Sequence, residues 1–259
     1  MTHASQNIQP SAGDLDLSIV IPAYNEAHKI ARDIEAAGRF LIEQGLRGEI
    51  IVADDGSADG TADTAQAAAT PAGVVLRVLR LKHRGKGWAV RQGMMATRGQ
   101  YAMFADSGLC VPFEDALPAL QLLREGRCDL ATGSRKLPQS VIEQPQSLGR
   151  RILSWLFRRT VLWFLGLPRD LTDTQCGFKV YRGDVARELF GQSKIDGFLF
   201  DLEILLRARR AGYVAREFPV HWACDRDSRL RPARLALRVF RELREVKHVT
   251  QEPSGGARP

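Results

Sequence analysis

No stretch of this chain reaches the roughly 18 to 20 consecutive apolar residues that a helix needs to cross a bilayer. The polar opening, residues 1–16, has no apolar run that would make a secretory signal. The four cysteines, Cys110, Cys128, Cys176 and Cys224, lie far apart, with no C-x-x-C pair and no histidine at metal-ligand spacing. A disulfide framework and a zinc site are therefore both excluded, and reduced, unpaired thiols in a cytoplasmic protein are expected. Arg84-Gly85-Lys86-Gly87-Trp88 invites comparison with a phosphate loop but lacks the Walker form, since Gly87 stands where Ser or Thr would hold magnesium. No nucleic-acid reader motif is present either. The net charge of +7 thus calls for an anionic partner without choosing between a lipid surface, a diphosphate and a nucleic acid.

What the chain does have is length and alternation. With 259 residues and 44% hydrophobic content it can bury one substantial core, or one core and a small appendage. Short apolar runs at 17–21, 49–53, 74–81, 101–105 and 129–132 read as strands, and Pro22 is expected to end the first of them. Helical periodicity fills 26–44, 58–69, 86–97 and 113–124. Strands alternating with helices give an α/β fold, a mostly parallel central sheet flanked by helices. Ligands of such sheets sit beyond the carboxyl ends of the strands. Tyr24-Asn25-Glu26, Asp54-Asp55, Asp106-Ser107 and Gly133-Ser134-Arg135 all fall at such ends. That convergence points to one site.

Several of these residues have two readings on sequence grounds. Asp54 and Asp55 can cap a helix, as can Ser57 and Asp59, or can accept the N3–H of a uracil base. Lys86 is either a solvated residue at a helix start or a contact for a diphosphate drawn to free N–H groups there. Asp201 and Glu203 suit the first turn of a helix by dipole complementarity alone. Asp173 and Gln175 are polar in an apolar neighbourhood, which suggests that they line a cleft, and Cys176 reads as a small buried residue.

Three segments carry a resemblance when taken in order: Ile19-Val20-Ile21-Pro22-Ala23-Tyr24-Asn25-Glu26, Val52-Ala53-Asp54-Asp55-Gly56-Ser57 and Leu171-Thr172-Asp173-Thr174-Gln175-Cys176-Gly177-Phe178-Lys179. At this spacing the chain resembles family 2 of the inverting, nucleotide-sugar-dependent glycosyltransferases, from about residue 17 to 230. The D-T-Q-C-G-F-K form is most similar to the branch that makes dolichyl-phosphate glucose. The resemblance implies a single domain of the GT-A type over 17–230, in which 137–171 is a membrane-facing or acceptor element. Residues 231–250 are expected to form a basic amphipathic helix, and 1–16 and 251–259 to be disordered. It also implies a donor site of Pro22, Tyr24, Glu26, Asp54, Asp55, Lys86, Asp106, Arg135 and Arg229. Asp106, Asp173, Gln175 and Asp201 would stand at the reacting centre. The family usually has D-x-D where this chain has Asp106-Ser107-Gly108, so a divalent metal, Mg2+ or Mn2+, would have Asp106 as its carboxylate and lack the second. Either diphosphate, water and another oxygen complete that metal's coordination, or basic side chains carry more of the neutralisation.

The chemistry implied is inverting transfer of a hexose, glucose from UDP-glucose, to a polyprenyl or dolichyl phosphate. Mannose from GDP-mannose, a non-lipid hydroxyl acceptor, and nucleotide-sugar binding without catalysis are the alternatives. A phosphomonoester is already an oxyanion and needs no general base, and no histidine stands beside the expected centre, which favours a phosphate acceptor; for a hydroxyl acceptor Asp173 or Asp201 could serve as the base. The stretch 150–165 has two arginine pairs, two tryptophans and an apolar stripe, as a helix lying in the membrane interface does, although an ordinary core helix has the same pattern. A peripheral protein on the cytoplasmic membrane face, with a nucleotide-sugar donor, a lipid-phosphate acceptor and no nucleic acid, is the resulting expectation.

Overall fold

The computed structural model describes residues 15–143, 171–223 and 242–250. In chain order the elements are β1 (Leu17–Ala23), α1 (Ile30–Glu43), β2 (Gly48–Asp54), α2 (Thr61–Ala67), β3 (Val75–Arg80), α3 (Lys86–Met95), β4 (Tyr101–Ala105) and α4 (Ala116–Arg124). There follow β5 (Leu130–Ser134), β6 (Val141–Ile142), β7 (Phe178–Arg182), α5 (Gly183–Gln192), α6 (Phe200–Arg210), β8 (Ala215–Pro219) and β9 (His221–Trp222). Residues 242–250 are helical. Seven strands form one sheet in the order β3-β2-β1-β4-β7-β5-β8, and β6 pairs separately with β9.

Alternating side chains of the strands supply both faces of this sheet with apolar surface. On one face Ile19, Ile21, Ile50, Val52, Met103 and Val180 meet Ile30, Ile34, Phe40 and Leu41 of α1 and Leu120 and Leu123 of α4. On the other, Val20, Ile51, Ala53, Phe104 and Tyr181 meet α3, α5, α6 and the helix at 242–250. The spacing of Ile30, Ile34, Ala37 and Leu41 along α1 is that of one buried helical stripe.

β1 to β4 are parallel to one another, whereas β7 runs antiparallel between β4 and β5. That reversal has a consequence for function. Phe178 pairs with Ala105, so the loop preceding β7 arrives at the same edge where β1, β2, β4 and β5 end. The D-T-Q-C-G run is thereby brought from far along the chain to the carboxyl edge of the sheet.

Among the boundaries that differ from expectation, two have a clear cause. Pro22 does not end β1; it lies inside it, opposite Ala53. The Ala23 carbonyl accepts the Asp55 N–H on the β2 side, so Pro22, one residue back, faces the β4 side, where pairing stops at Val20–Phe104. Its missing N–H therefore costs no ladder bond. Helix α1 starts at Ile30 rather than 26, because residues 25–27 are tied to the loop after β2.

Candidate active site

The nucleotide-side loops are built by mutual hydrogen bonding. The Asn25 N–H donates to Ser57 Oγ at 2.8 Å, and its side-chain carbonyl accepts from the Ala58 N–H at 2.9 Å. The Glu26 N–H donates to Thr61 Oγ1 at 2.8 Å, and the Glu26 carboxylate pairs with Lys29 at 2.8 Å. Asp54, buried at the end of β2, accepts from the Ser57 hydroxyl and from the Ser57 N–H. Asp55, also buried, accepts the N–H groups of Arg84 and Gly85, both at 2.9 Å, and its Oδ2 lies 2.8 Å from His83 Nδ1. Both acids therefore organise turns. A carboxylate has about four lone-pair sites, so Asp55 retains room for one further donor. Tyr24 is exposed and stacks on His83, ring centroids 4.2 Å apart. Pro22 is buried in β1 below these loops.

At the end of β4 stands Asp106, with Lys86 from the start of α3 against it. Lys86 Nζ donates to Oδ2 at 2.9 Å and lies 2.7 Å from Oδ1. Burial would lower the ammonium's pKa, but Asp106 and then Asp201 more than offset this and hold it above the ordinary value. The Asp106 N–H donates to the Gly177 carbonyl at 2.9 Å, and a Cβ at 177 would come within 1.9 Å of Asp106 Oδ2. The glycine of D-T-Q-C-G-F-K is thus required so that the backbone can seat this carboxylate. Next along, the Ser107 hydroxyl and the Gly108 N–H both bond Asp33 of α1, at 2.7 and 2.8 Å. Gly108 has φ of 108°, a conformation that side-chain-bearing residues rarely adopt.

Arg135, just past β5, clamps Asp173 through Nε at 2.6 Å and Nη2 at 2.9 Å. Burial alone would raise the Asp173 pKa; the Arg135 guanidinium outweighs it and holds the carboxyl below its usual value. Asp201, in the first turn of α6, pairs at 2.7 Å with Lys179, whose ammonium is fully buried and also donates to the Cys176 carbonyl at 2.7 Å. Burial pushes the Asp201 pKa up despite Lys179 and Lys86. Burial likewise raises the Cys176 thiol to about 12, leaving it neutral and inert. Gln175 is half-buried in the same loop.

The sequence reading missed the supporting roles of three groups. Lys179 was visible as a charge inside the otherwise apolar strand Phe178–Arg182. Glu217 of β8 accepts the Asp173 N–H at 2.6 Å and the Thr172 hydroxyl at 2.7 Å, yet lies 44 residues from Asp173 and has no local signature. Glu203 is buried and accepts from Lys194 N, Ile195 N, the Ser193 hydroxyl and Arg207, so it shapes the turn before α6. Arg229, the neighbouring Arg226 and Arg231, Cys224, and most of the 137–171 and 231–250 segments lie outside the described residues.

The cations Lys86, Arg135 and Lys179 are matched one for one by Asp106, Asp173 and Asp201. An incoming diphosphate would need further positive charge. Among the described residues no group of three or more His, Cys, Asp or Glu side chains could hold a metal ion. Asp106 Oδ1 is buried and lies 2.7 Å from the Lys86 ammonium without hydrogen-bond geometry, so a cation using this oxygen would share it with Lys86. A single protein oxygen suits a divalent ion that takes its remaining ligands from diphosphate and water.

Residues 18–190, well over half the chain, match the family described as glycosyl transferase family 2. The chain is 35% identical to a dolichyl-phosphate beta-glucosyltransferase of Drosophila melanogaster, over 88% of this chain and 73% of that protein. It is 33% identical to the Saccharomyces cerevisiae protein of the same description, over 81% of this chain and 67% of that one. Among solved structures, glucosyl-3-phosphoglycerate synthase from Mycobacterium tuberculosis, crystallised with Mn2+, UDP-glucose and phosphoglyceric acid, is similar with a TM-score of 0.64. That similarity is at 21% identity and covers 94% of this chain and 82% of that one. Among the described residues no helix is long and apolar enough to cross a membrane.

Proposed function

Because this chain belongs to glycosyl transferase family 2 and is a hexose-transferring enzyme with a GT-A type fold, we propose that it transfers glucose, with inversion, from UDP-glucose to a dolichyl or polyprenyl phosphate. The relatives' descriptions support the glucose and the lipid phosphate. The observation that carries the acceptor class is the state of the carboxylates. Asp106, Asp173 and Asp201 are each ion-paired, and His83 and His221 are tied to Asp55 and Asp115. A hydroxyl acceptor would require one of these to take its proton, and Asp201, whose pKa burial raises, is the candidate base for that alternative. A phosphomonoester arrives as an oxyanion and requires only positioning.

In this reading the loops carrying Tyr24, Glu26, Asp54 and Asp55 hold the uridine, with Pro22 beneath them. Lys86, Asp106, Arg135 and Arg229 face the diphosphate, and Asp173, Gln175 and Asp201 border the sugar and acceptor. An acceptor phosphate oxygen attacks the anomeric carbon while the bond from that carbon to the UDP oxygen breaks, its electron pair leaving with UDP. Lys86 and the arginines stabilise the charge growing on the leaving diphosphate. A divalent cation, with Asp106 as its protein carboxylate, would add positive charge at the same place. The enzyme works as a peripheral protein at the cytoplasmic membrane face, with 150–165 as its interfacial element.

The test is a matrix of UDP-glucose, other UDP-sugars and GDP-mannose against short polyprenyl phosphates and the corresponding polyprenols, with EDTA or Mn2+. The expected outcome is product from UDP-glucose and the phosphate, at least about 100-fold above the alcohol. Preferential use of the alcohol, or of GDP-mannose, contradicts the proposal. Normal UDP binding with no product anywhere in the matrix would move the chain to the binding-only class.

A further inference from the structure

The start of α3 is seated against the segment joining α5 to α6. The Trp88 N–H donates to the Asp196 carbonyl at 3.2 Å. A Cβ on Gly87 would come within 2.5 Å of the Ile195 carbonyl oxygen and 2.8 Å of the Gly197 carbonyl oxygen. The Asp196 carboxylate bonds Arg84 at 2.8 Å and Arg91 at 2.7 Å, and those two guanidinium groups lie over the Trp88 ring. Wherever residues 195–197 go, Lys86 goes with them.

The far side of this segment rests on a carboxylate from the end of the chain. Glu242, buried at the start of the helix at 242–250, accepts the Leu199 N–H through Oε2 at 3.2 Å. It lies so close to Gly197 that a Cβ there would come within 2.4 Å of Oε1. Leu243, Val246 and Val249 of the same helix pack into the core with α6. In sequence this helix follows the stretch that contains Arg229, so one length of chain would both supply a diphosphate contact and set the height of Lys86.

We infer that Glu242 is a positioning residue of the donor site, acting through residues 195–199 to hold Lys86 at Asp106. The inference rests on the proposed donor role of Lys86. It gives the C-terminal helix a task in nucleotide binding although Glu242 itself does not reach the site.

A double-mutant cycle tests it, with UDP affinity of the full chain measured by calorimetry. Glu242→Ala is expected to weaken UDP binding about tenfold in the native background and less than twofold in Lys86→Met. Glu242→Gln keeps an oxygen for the Leu199 N–H and is expected to bind UDP within about twofold of native. Equal losses from Glu242→Ala in both backgrounds would overturn the inference and leave the donor site standing. Unchanged UDP affinity in Lys86→Met would overturn the donor role of Lys86 and the inference with it. If Glu242→Ala does not fold, Gly197→Ala displaces the same carboxylate from the other side and enters the same cycle.

Discussion

Asp106→Asn is expected to lower glucosyl transfer by about 100- to 1,000-fold while leaving the protein folded. The side chain is about one-third exposed and packs on Gly177 rather than in the core, so an isosteric amide fits the same seat. What is lost is charge. Lys86 loses the carboxylate that fixes it, and a cation arriving with the diphosphate loses the negative charge of Asp106. Because both consequences fall on the charged leaving group, kcat should fall more than UDP affinity. Steady-state kinetics with UDP-glucose and a short polyprenyl phosphate would check this, alongside circular dichroism for the fold. Full activity in Asp106→Asn would displace the whole site from the end of β4.

A second large effect is expected from Lys179→Met. The lysine is fully buried, and its ammonium is the partner of Asp201 and the donor to the Cys176 carbonyl. Removing one member of a buried ion pair leaves an uncompensated charge, at a cost of about 3–5 kcal/mol. For a chain of this size that lowers Tm by on the order of 10 °C. Lys179→Met combined with Asp201→Asn leaves no unpaired charge and should regain part of the loss. Denaturant unfolding of the two variants provides the measurement. A single variant as stable as the native protein would show that Lys179 does not hold the Asp173–Gly177 loop to α6.

The fold was legible because its signals are local. Apolar runs of strand length, periodic helices and turn residues alternate through residues 17–134, and their order alone implies parallel crossovers. The strand ends then collected Tyr24, Asp55, Asp106 and Arg135 into one edge, as the structure places them. What composition and period did not convey is which carboxylate meets which cation. Asp173 and Arg135 are separated by 38 residues, and Asp173 and Glu217 by 44, and such pairs are fixed only by tertiary packing. For the same reason the sequence leaves Asp54 and Asp55 between a capping role and a base-reading role, whereas the structure shows that both hold their own loops. An Asp55→Ala variant would therefore disturb the Arg84–Gly85 turn as well as any base contact. The glycines of 85–87 suggest a helix start able to attract a diphosphate; Gly87 is also the contact point of residues 195–197. The end of β1 at Pro22 and the start of α1 moved because hydrogen bonding beyond the local sequence decided them.

Inverting transfer of glucose from UDP-glucose to a lipid phosphate leaves a distinct mark in the stereochemistry of the product. UDP-glucose labelled with 13C at the anomeric carbon would be incubated with a short polyprenyl phosphate and the native enzyme. The product lipid would then be read by NMR for its carbon–phosphorus connectivity and its anomeric proton coupling. A single displacement at the α-linked donor requires a β-glucosyl phosphate lipid, formed by the native enzyme and not detectably by Asp106→Asn. An α-linked product, or labelled free glucose with no glycolipid, would contradict the account.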